Sequence, residues 1–572
     1  MQSLPPRNPS ISVANRPFVH DRWEEPEVVA DLPLPVASRV IRSILIRRGV
    51  EDAASFRRFT APEIGDLHDP ATIHGMAEAC ERIELAVGER QPIAIYGDYD
   101  VDGVTSVVML QAVLRSLGAN VTFVVPHRLV DGYGLKIEVV ERLLAEQEIR
   151  LVITVDCGIT SVEPVQKALE RGIDVIITDH HLPPGILPGA VSVLNPKQPG
   201  CTYPFKELAG VGVTFKLCCE LLRRNGRKLS IESLLRIAAI GTVADVAPLI
   251  EENRTIASLG LRALGEARNP GLRALLRRLG LAGKPLRASD VGFKLGPRIN
   301  AAGRLASANT AIDLFAAVDE DSAWQLCAEL DRLNAERQEI EARVREEAEA
   351  LVDPGDRFIV VANEGWHRGV IGLTAGRLAQ KYHRPALVIA GESGSSVGSA
   401  RSIPTIDLHG CLARVNDLFT HFGGHQFACG FSLPTARIGE LRERLNEAAA
   451  DLDPALFQRV ARVDGSIAFE DIDSDFVVSH ELLQPFGAGN VQPLFLARGV
   501  EIRSVRTFAD ECAAVSLWDG RKAAEAVVWP SAQPVLAAMR QAGRSDILFH
   551  LEPDSYRDHL ARLVLVDARA AE

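Results

Sequence analysis

Three short apolar runs in this chain end in the same way. IAIYGDYDVDG (93–103), LVITVDCG (151–158) and VIITDHH (175–181) each pass from buried-looking residues straight into aspartate, or into aspartate and histidine. Helix-like segments separate them: GVTSVVMLQAVLRSLG (103–118), one near 136–147 and one near 161–171, with a further strand-like run VTFVV (121–125). Short β-rich runs interleaved with helices predict βαβ units and a parallel sheet covered on both faces. In an open parallel sheet, the residues just beyond the carboxyl ends of the strands line one crevice. The pattern therefore predicts that Asp100, Asp102, Asp156 and His180 converge. A buried helix over 229–243 runs into ADVAPL and delivers Asp245 to the same place.

Asp98, Asp100 and Asp102 alternate, so they repel one another unless a cation neutralises them. A calcium loop is excluded, because the twelfth position counted from Asp98 is Met109 and not the bidentate glutamate such a loop needs. Hard carboxylate oxygens with one or two imidazoles suit Mn²⁺ or Mg²⁺. Two such ions about 3.5–4 Å apart would activate water and stabilise both the attacking and leaving oxygens of a phosphoester. Asp156 is the candidate bridging carboxylate. His181 is placed to orient a ligand or to donate to a phosphate oxygen.

The rest of the chain sets the context. At 572 residues it is too long for one core, and three to four domains are expected. No stretch reaches the length of a membrane span, and the opening MQSLPPRNPSISVANRPF lacks the apolar core of a signal peptide and reads as a flexible lead-in. The nine cysteines include no C-x-x-C pair, so they read as reduced, buried thiols of a cytosolic protein. The net charge of −12 excludes a uniformly basic nucleic-acid coat but not a local groove. Residues 262–304 carry ten Lys/Arg against two acids and are the candidate groove.

Residues 321–352 lack Gly and Pro and read as one long amphipathic connector helix. A coiled-coil dimer through it would have a short seam, broken at Arg337, so a monomer is expected. A second α/β pattern starts after Pro354-Gly355 and contains SARS (399–402) and HFGGHQFACGF (421–431). Beyond about 456, five or so strand-like runs predict a small barrel. There Trp518 and Trp529 read as core, whereas Tyr133 and Trp366 are candidate stacking platforms for bases.

GDYDVDG, VDCG, TDHH and GTVADVAPL, in this order, resemble the four motifs of the DHH phosphoesterase superfamily. The resemblance is to its single-strand-specific exonuclease branch, and it extends to PHRLVDGYGL (126–135), GPRINAAGRL (296–305), GVIGLTAGRLAQKY (369–382), SARS, GGHQFACG and LQPFGAGNVQPLF (483–495). It implies an α/β chain with a DHH domain, a connecting helix, a DHH-associated domain and an oligonucleotide-binding barrel. The corresponding segments are 1–70 (lead-in), 71–318, 319–353, 354–452 and 453–572. By motif, Asp100, Asp102, Asp156, His180 and Asp245 would ligate two Mn²⁺ or Mg²⁺, with Asp98 and His181 supporting. Arg128, Arg304, Ser399 and Arg401 would contact the strand, some at its terminal phosphate, with Arg298, His425 and Tyr133 as further contacts. The implied activity is 5′→3′ hydrolysis of single-stranded DNA to 5′-mononucleotides in repair and recombination, with a single-strand-binding protein as partner. Two rivals exist. A phosphodiesterase of short oligoribonucleotides or cyclic dinucleotides shares such metal motifs but does not explain the barrel. A non-catalytic DNA-binding scaffold does not explain intact Asp and His in all four motifs.

Overall fold

The apolar runs pair as a five-stranded, wholly parallel sheet. Its strands are β1 (Ile93–Gly97), β2 (Val121–Val124), β3 (Leu151–Val155), β4 (Asp174–Thr178) and β5 (Ser192–Leu194), in the order β2-β1-β3-β4-β5. The computed structural model describes residues 20–571 except 129, 132, 133, 147, 228, 229, 392, 393, 509–511 and 554–560. The chain divides into two units, one of residues 50–337 with 483–491, the other of residues up to 49 with 338–482 and 492–572.

In the first unit the strand order reverses between β1 and β3, so their carboxyl ends open a crevice at this switch point. Helix α1 (Val101–Ser116) starts at that crevice, capped by Asp100, whose side chain accepts from the N–H groups of Asp102 and Gly103. It is buried nearly all round, because it lies against the sheet and against α2 (Gly210–Arg224) and α3 (Ile231–Ala244). Helix α4 (Gly296–Leu305) follows a π-helical turn over Val291–Leu295. The long helix α5 (Glu320–Ala350) begins in this unit and ends in the other.

The second unit holds a mixed sheet of β6 (Ile359–Glu364), β7 (Ala386–Gly391), β8 (Ser395–Arg401), β9 (His421–His425) and β10 (Ala428–Pro434), in the order β9-β10-β8-β7-β6. Only β6–β7 is parallel. Helix α6 (Arg368–Tyr382) packs on β7 and β8. The same unit contains a closed barrel of β11 (Phe495–Thr507), β12 (Ala513–Trp518), β13 (Ala523–Val528), β14 (Arg544–Pro553) and β15 (Ala561–Ala570), in which β11 pairs with both β12 and β14. Closure leaves no free edge between these five strands.

The stretch read as flexible, residues 1–18, lies outside the described residues, and the rest of the 1–70 segment holds regular structure. Arg22–Glu24 pairs in parallel with Val460–Arg462, and the helix Arg39–Arg47 buries Ile41, Ile44 and Leu45. Its apolar stripe is only three residues wide, too short to stand out in the sequence. All nine cysteines are free thiols, as expected. Among the described residues, no helix is long and apolar enough to cross a membrane.

Candidate active site

The crevice between β1 and β3 gathers the carboxylates. Asp98 follows β1 directly and is buried, and Asp102 sits in the first turn of α1, also buried. Both oxygens of Asp102 are held by the start of α2: Gly210 N–H donates to Oδ2 at 2.7 Å and Val211 N–H to Oδ1 at 2.7 Å. Asp156 ends β3 with φ +60°, a left-handed conformation unusual outside glycine, and it too is buried. A Cβ on Gly210 would stand 2.5 Å from Asp156 Oδ1, so only glycine lets α2 approach so closely. Asp245 caps the carboxyl end of α3.

The double histidine follows β4. His180 Nε2 lies 3.2 Å from Asp156 Oδ1, and its Nδ1 3.9 Å from Asp245 Oδ2. Asp179, which the sequence reading left without a role, organises both rings. It is fully buried and accepts from the N–H groups of Ile159 (2.9 Å), His180 (2.7 Å) and His181 (3.1 Å), and His181 Nδ1 lies 2.7 Å from its Oδ1. Burial would raise the Asp179 carboxyl, but His181 and these donors outweigh it and hold it down near about 2. Asp179 is thus an acceptor only, and His181 Nδ1–H must be the donor. Burial likewise opposes a charge on His181, yet Asp179 and the other carboxylates lift it to about 9. The signal for Asp179 was its place inside TDHH. The signal for Gly210 and Val211, a Gly-Val pair opening an apolar helix, is too common to single out.

Two disjoint trios could each hold a cation: Asp98, Asp100 and Asp156 in one, Asp102, His180 and Asp245 in the other. In each, ligand atoms lie within 4.8 Å of one another, and a third trio of Asp156, His180 and His181 joins them. The residues fit a divalent pair on two further grounds. Asp98 Oδ1 and Asp156 Oδ1 are buried without a hydrogen-bond partner, which is costly unless something positive meets them. Burial first, and neighbouring carboxylates second, push Asp98, Asp156 and Asp245 well above the usual carboxylate range and Asp102 to about 7. Hard oxygen and imidazole donors of this kind suit Mn²⁺ or Mg²⁺.

Beside this cluster, the Arg128 guanidinium stacks 4.6 Å from the Tyr99 ring centre. A Cβ on Gly303 would reach 2.3 Å from Tyr99 O, so α4 lies directly against the GDYD loop and Arg304 acts electrostatically on Tyr99. Arg298, also on α4, pairs with α5: its Nε bonds Asp331 at 2.6 Å and its Nη1 bonds Lys294 O at 2.9 Å. In the basic stretch, Arg273, Arg277, Arg278, Lys294 and Arg298 all form ion pairs, four of them with Glu320 or Asp331 of α5. Tyr133 lies outside the described residues.

In the second unit, SARS and GGHQFACG form strands. Ser399 lies across from Gly430 and Gly423, and Arg401 across from Ala428 and His425, so two adjacent rows share one face. The first row is floored by bare glycine backbone and open above Gly423 and Gly430. Arg401 Nη1 reaches Ser399 Oγ at 3.2 Å, and His425 is exposed at the hairpin end. Trp366 is no platform: it is buried at 5% exposure and its Nε1–H donates to Glu347 Oε2 at 2.7 Å. Trp529 is no core residue either, being 39% exposed, and Trp518 lies half-buried 5.3 Å below the Arg503 guanidinium. A tryptophan at a strand end gives no sequence signal for which side of the barrel it faces.

A switch-point cluster of aspartates with a double histidine, on this sheet, defines a DHH phosphoesterase. The family models agree: "DHH family, N-terminal domain" matches residues 92–242, "DHHA1 domain" 355–451 and "RecJ OB domain" 463–564. The chain belongs to the RecJ family. It is 42% identical over 473 residues to the single-stranded-DNA-specific exonuclease RecJ of Bacillus subtilis, covering 82% of this chain and 59% of that one. To the Escherichia coli protein of the same name it is 36% identical over 500 residues, covering 83% and 85%. The crystal structure of RecJ from Thermus thermophilus with Mn²⁺ superposes with a TM-score of 0.82 at 30% identity, covering 96% of this chain and 80% of that one. Its Mg²⁺ complex gives a TM-score of 0.76 at 27% identity, covering 96% and 79%. The chain thus spans about three fifths of the Bacillus relative's length.

Proposed function

We propose that this chain is a metal-dependent exonuclease that hydrolyses single-stranded DNA from its 5′ end to 5′-mononucleotides, in repair and recombination. The observation that carries this reading is the pair of disjoint ligand trios at the switch point of the parallel sheet. When bound, the two cations supply water activation and neutralise charge on the phosphate.

The chain's own residues supply the rest. Asp98, Asp100 and Asp156 form one cradle, and Asp102, His180 and Asp245 the other. Asp179 fixes His181 through Nδ1 so that the ring turns its other nitrogen toward the phosphate. Arg128 and Arg304 offer forked donors to the terminal phosphate, which gives the enzyme its direction. Ser399, Arg401 and His425 bind the strand's backbone on their glycine-floored face. The domains fall at 71–318, 354–452 and 453–572, joined through 319–353. The protein works in the cytoplasm as a monomer, with a single-strand-binding protein as partner.

The test uses single-stranded DNA labelled at its 3′ end, with Mn²⁺. Parallel reactions hold the same strand blocked at its 5′ end, its duplex form and a labelled dinucleotide. Stepwise shortening of the free single strand alone supports the reading. Cleavage confined to the dinucleotide would move the protein to the small-substrate class, and binding without cleavage would make it a scaffold.

A further inference from the structure

A cavity of about 250 Å³ opens on the first unit, away from the carboxylate cluster. Leu272 and Phe315 contribute to its apolar lining. One wall is α1, through Gln111 and Arg115. These residues lie nine and thirteen positions beyond Asp102, roughly 14 and 20 Å along the helix. The cavity is therefore a separate site on the far half of that helix.

The charge of the lining points to a ligand. Around the lining stand three arginines from three separate elements: Arg115 on α1, Arg236 on α3 and Arg268 in the turn before the helix Pro270–Arg278. Among the described residues no acid lines the cavity. Arg236 is steadied by its Nε–H donating to Ala263 O at 2.9 Å and its Nη1 to Ser233 Oγ at 3.3 Å. Asn269 is already committed, its Nδ2 to Phe315 O and its Oδ1 to Leu272 N–H.

We propose that this cavity binds a small amphiphilic anion, with an apolar ring-sized body in the pit and an acidic group among the arginines. Apolar burial supplies affinity, and the few convergent donors fix orientation, as in small-ligand pockets generally. The catalytic carboxylates take no part.

Anilinonaphthalene sulfonate, a fluorescent ring system carrying one anionic group, is a direct probe, and its uncharged parent phenylnaphthylamine is the control. The full-length protein should bind the sulfonate at one site. Reversing charge in the double variant Arg115→Glu/Arg268→Glu should weaken the sulfonate at least tenfold and leave phenylnaphthylamine unchanged. An unchanged unfolding temperature in that variant should show that the loss is not unfolding. Equal sulfonate affinity in wild type and in the charge-reversed variant would overturn the proposal, as would parallel loss of both probes.

Discussion

Asp156 concentrates the chemistry and the cost of the site. It holds a left-handed φ, its carboxylate is buried, and Oδ1 has no hydrogen-bond partner. Asp156→Ala should lower metal-dependent cleavage by about a thousandfold or more while leaving single-strand binding nearly intact. Retained turnover in this variant would dismiss the assignment. Asp156→Gly should raise the unfolding temperature of the metal-free protein by a few degrees, since it removes about 1 kcal/mol of backbone strain along with a buried charge. Differential scanning fluorimetry in chelator reads this, and a fall would mean that the carboxylate stabilises the fold on its own. Asp98, Asp156 and Asp245 all have folded pKa values raised above the ordinary 3.8. Metal-free stability is then fullest below that value and is lost as pH rises through the folded pKa values. Mn²⁺ should stabilise the wild type more at pH 8 than at pH 6. An equal shift at both would contradict the repulsion that the burial implies.

At the scale of elements, α2 matters because its first two N–H groups hold Asp102. That helix is anchored by a buried pair, Lys216 with Glu252 of the helix Glu251–Leu264, both about 1% exposed or less in their side chains. Lys216 Nζ also donates to His68 O at 2.8 Å, and Tyr203 OH donates to Glu252. Lys216→Met should cost about 3–5 kcal/mol in urea unfolding, because it strands Glu252, and Lys216→Met/Glu252→Leu should recover much of that. Equal losses would mean that the pair adds net stability. None of this was legible in GVGVTFKLCC, where lysine looks like one polar break in an apolar helix. The strands and their terminal Asp and His were legible, because a two-sided buried strand writes its whole length in apolar residues. The ion pairs of Arg298 and the basic stretch were not legible for a different reason. Composition counts charges, but Glu320 and Asp331, thirty or more residues later in the chain, decide which of them remain for a ligand.

Across the whole molecule, the order of an α/β unit, a long helix, a second α/β pattern and a small barrel was readable from periodicity, and the motifs named the superfamily. What periodicity cannot supply is orientation about a strand or helix axis, which is why Trp366 and Trp529 exchanged roles between surface and core. It also misses close backbone approach, as at Gly210 and Gly303. The central claim is that two cations sit in two adjoining trios with Asp156 and His180 at their junction. The most direct test counts Mn²⁺ per chain by equilibrium dialysis, with electron paramagnetic resonance on the same samples. The account expects two ions per wild-type chain, giving a spin-coupled spectrum, and loss of that coupling together with cleavage in Asp156→Ala. A single uncoupled ion in the active wild type, or a coupled pair surviving in Asp156→Ala, would contradict it.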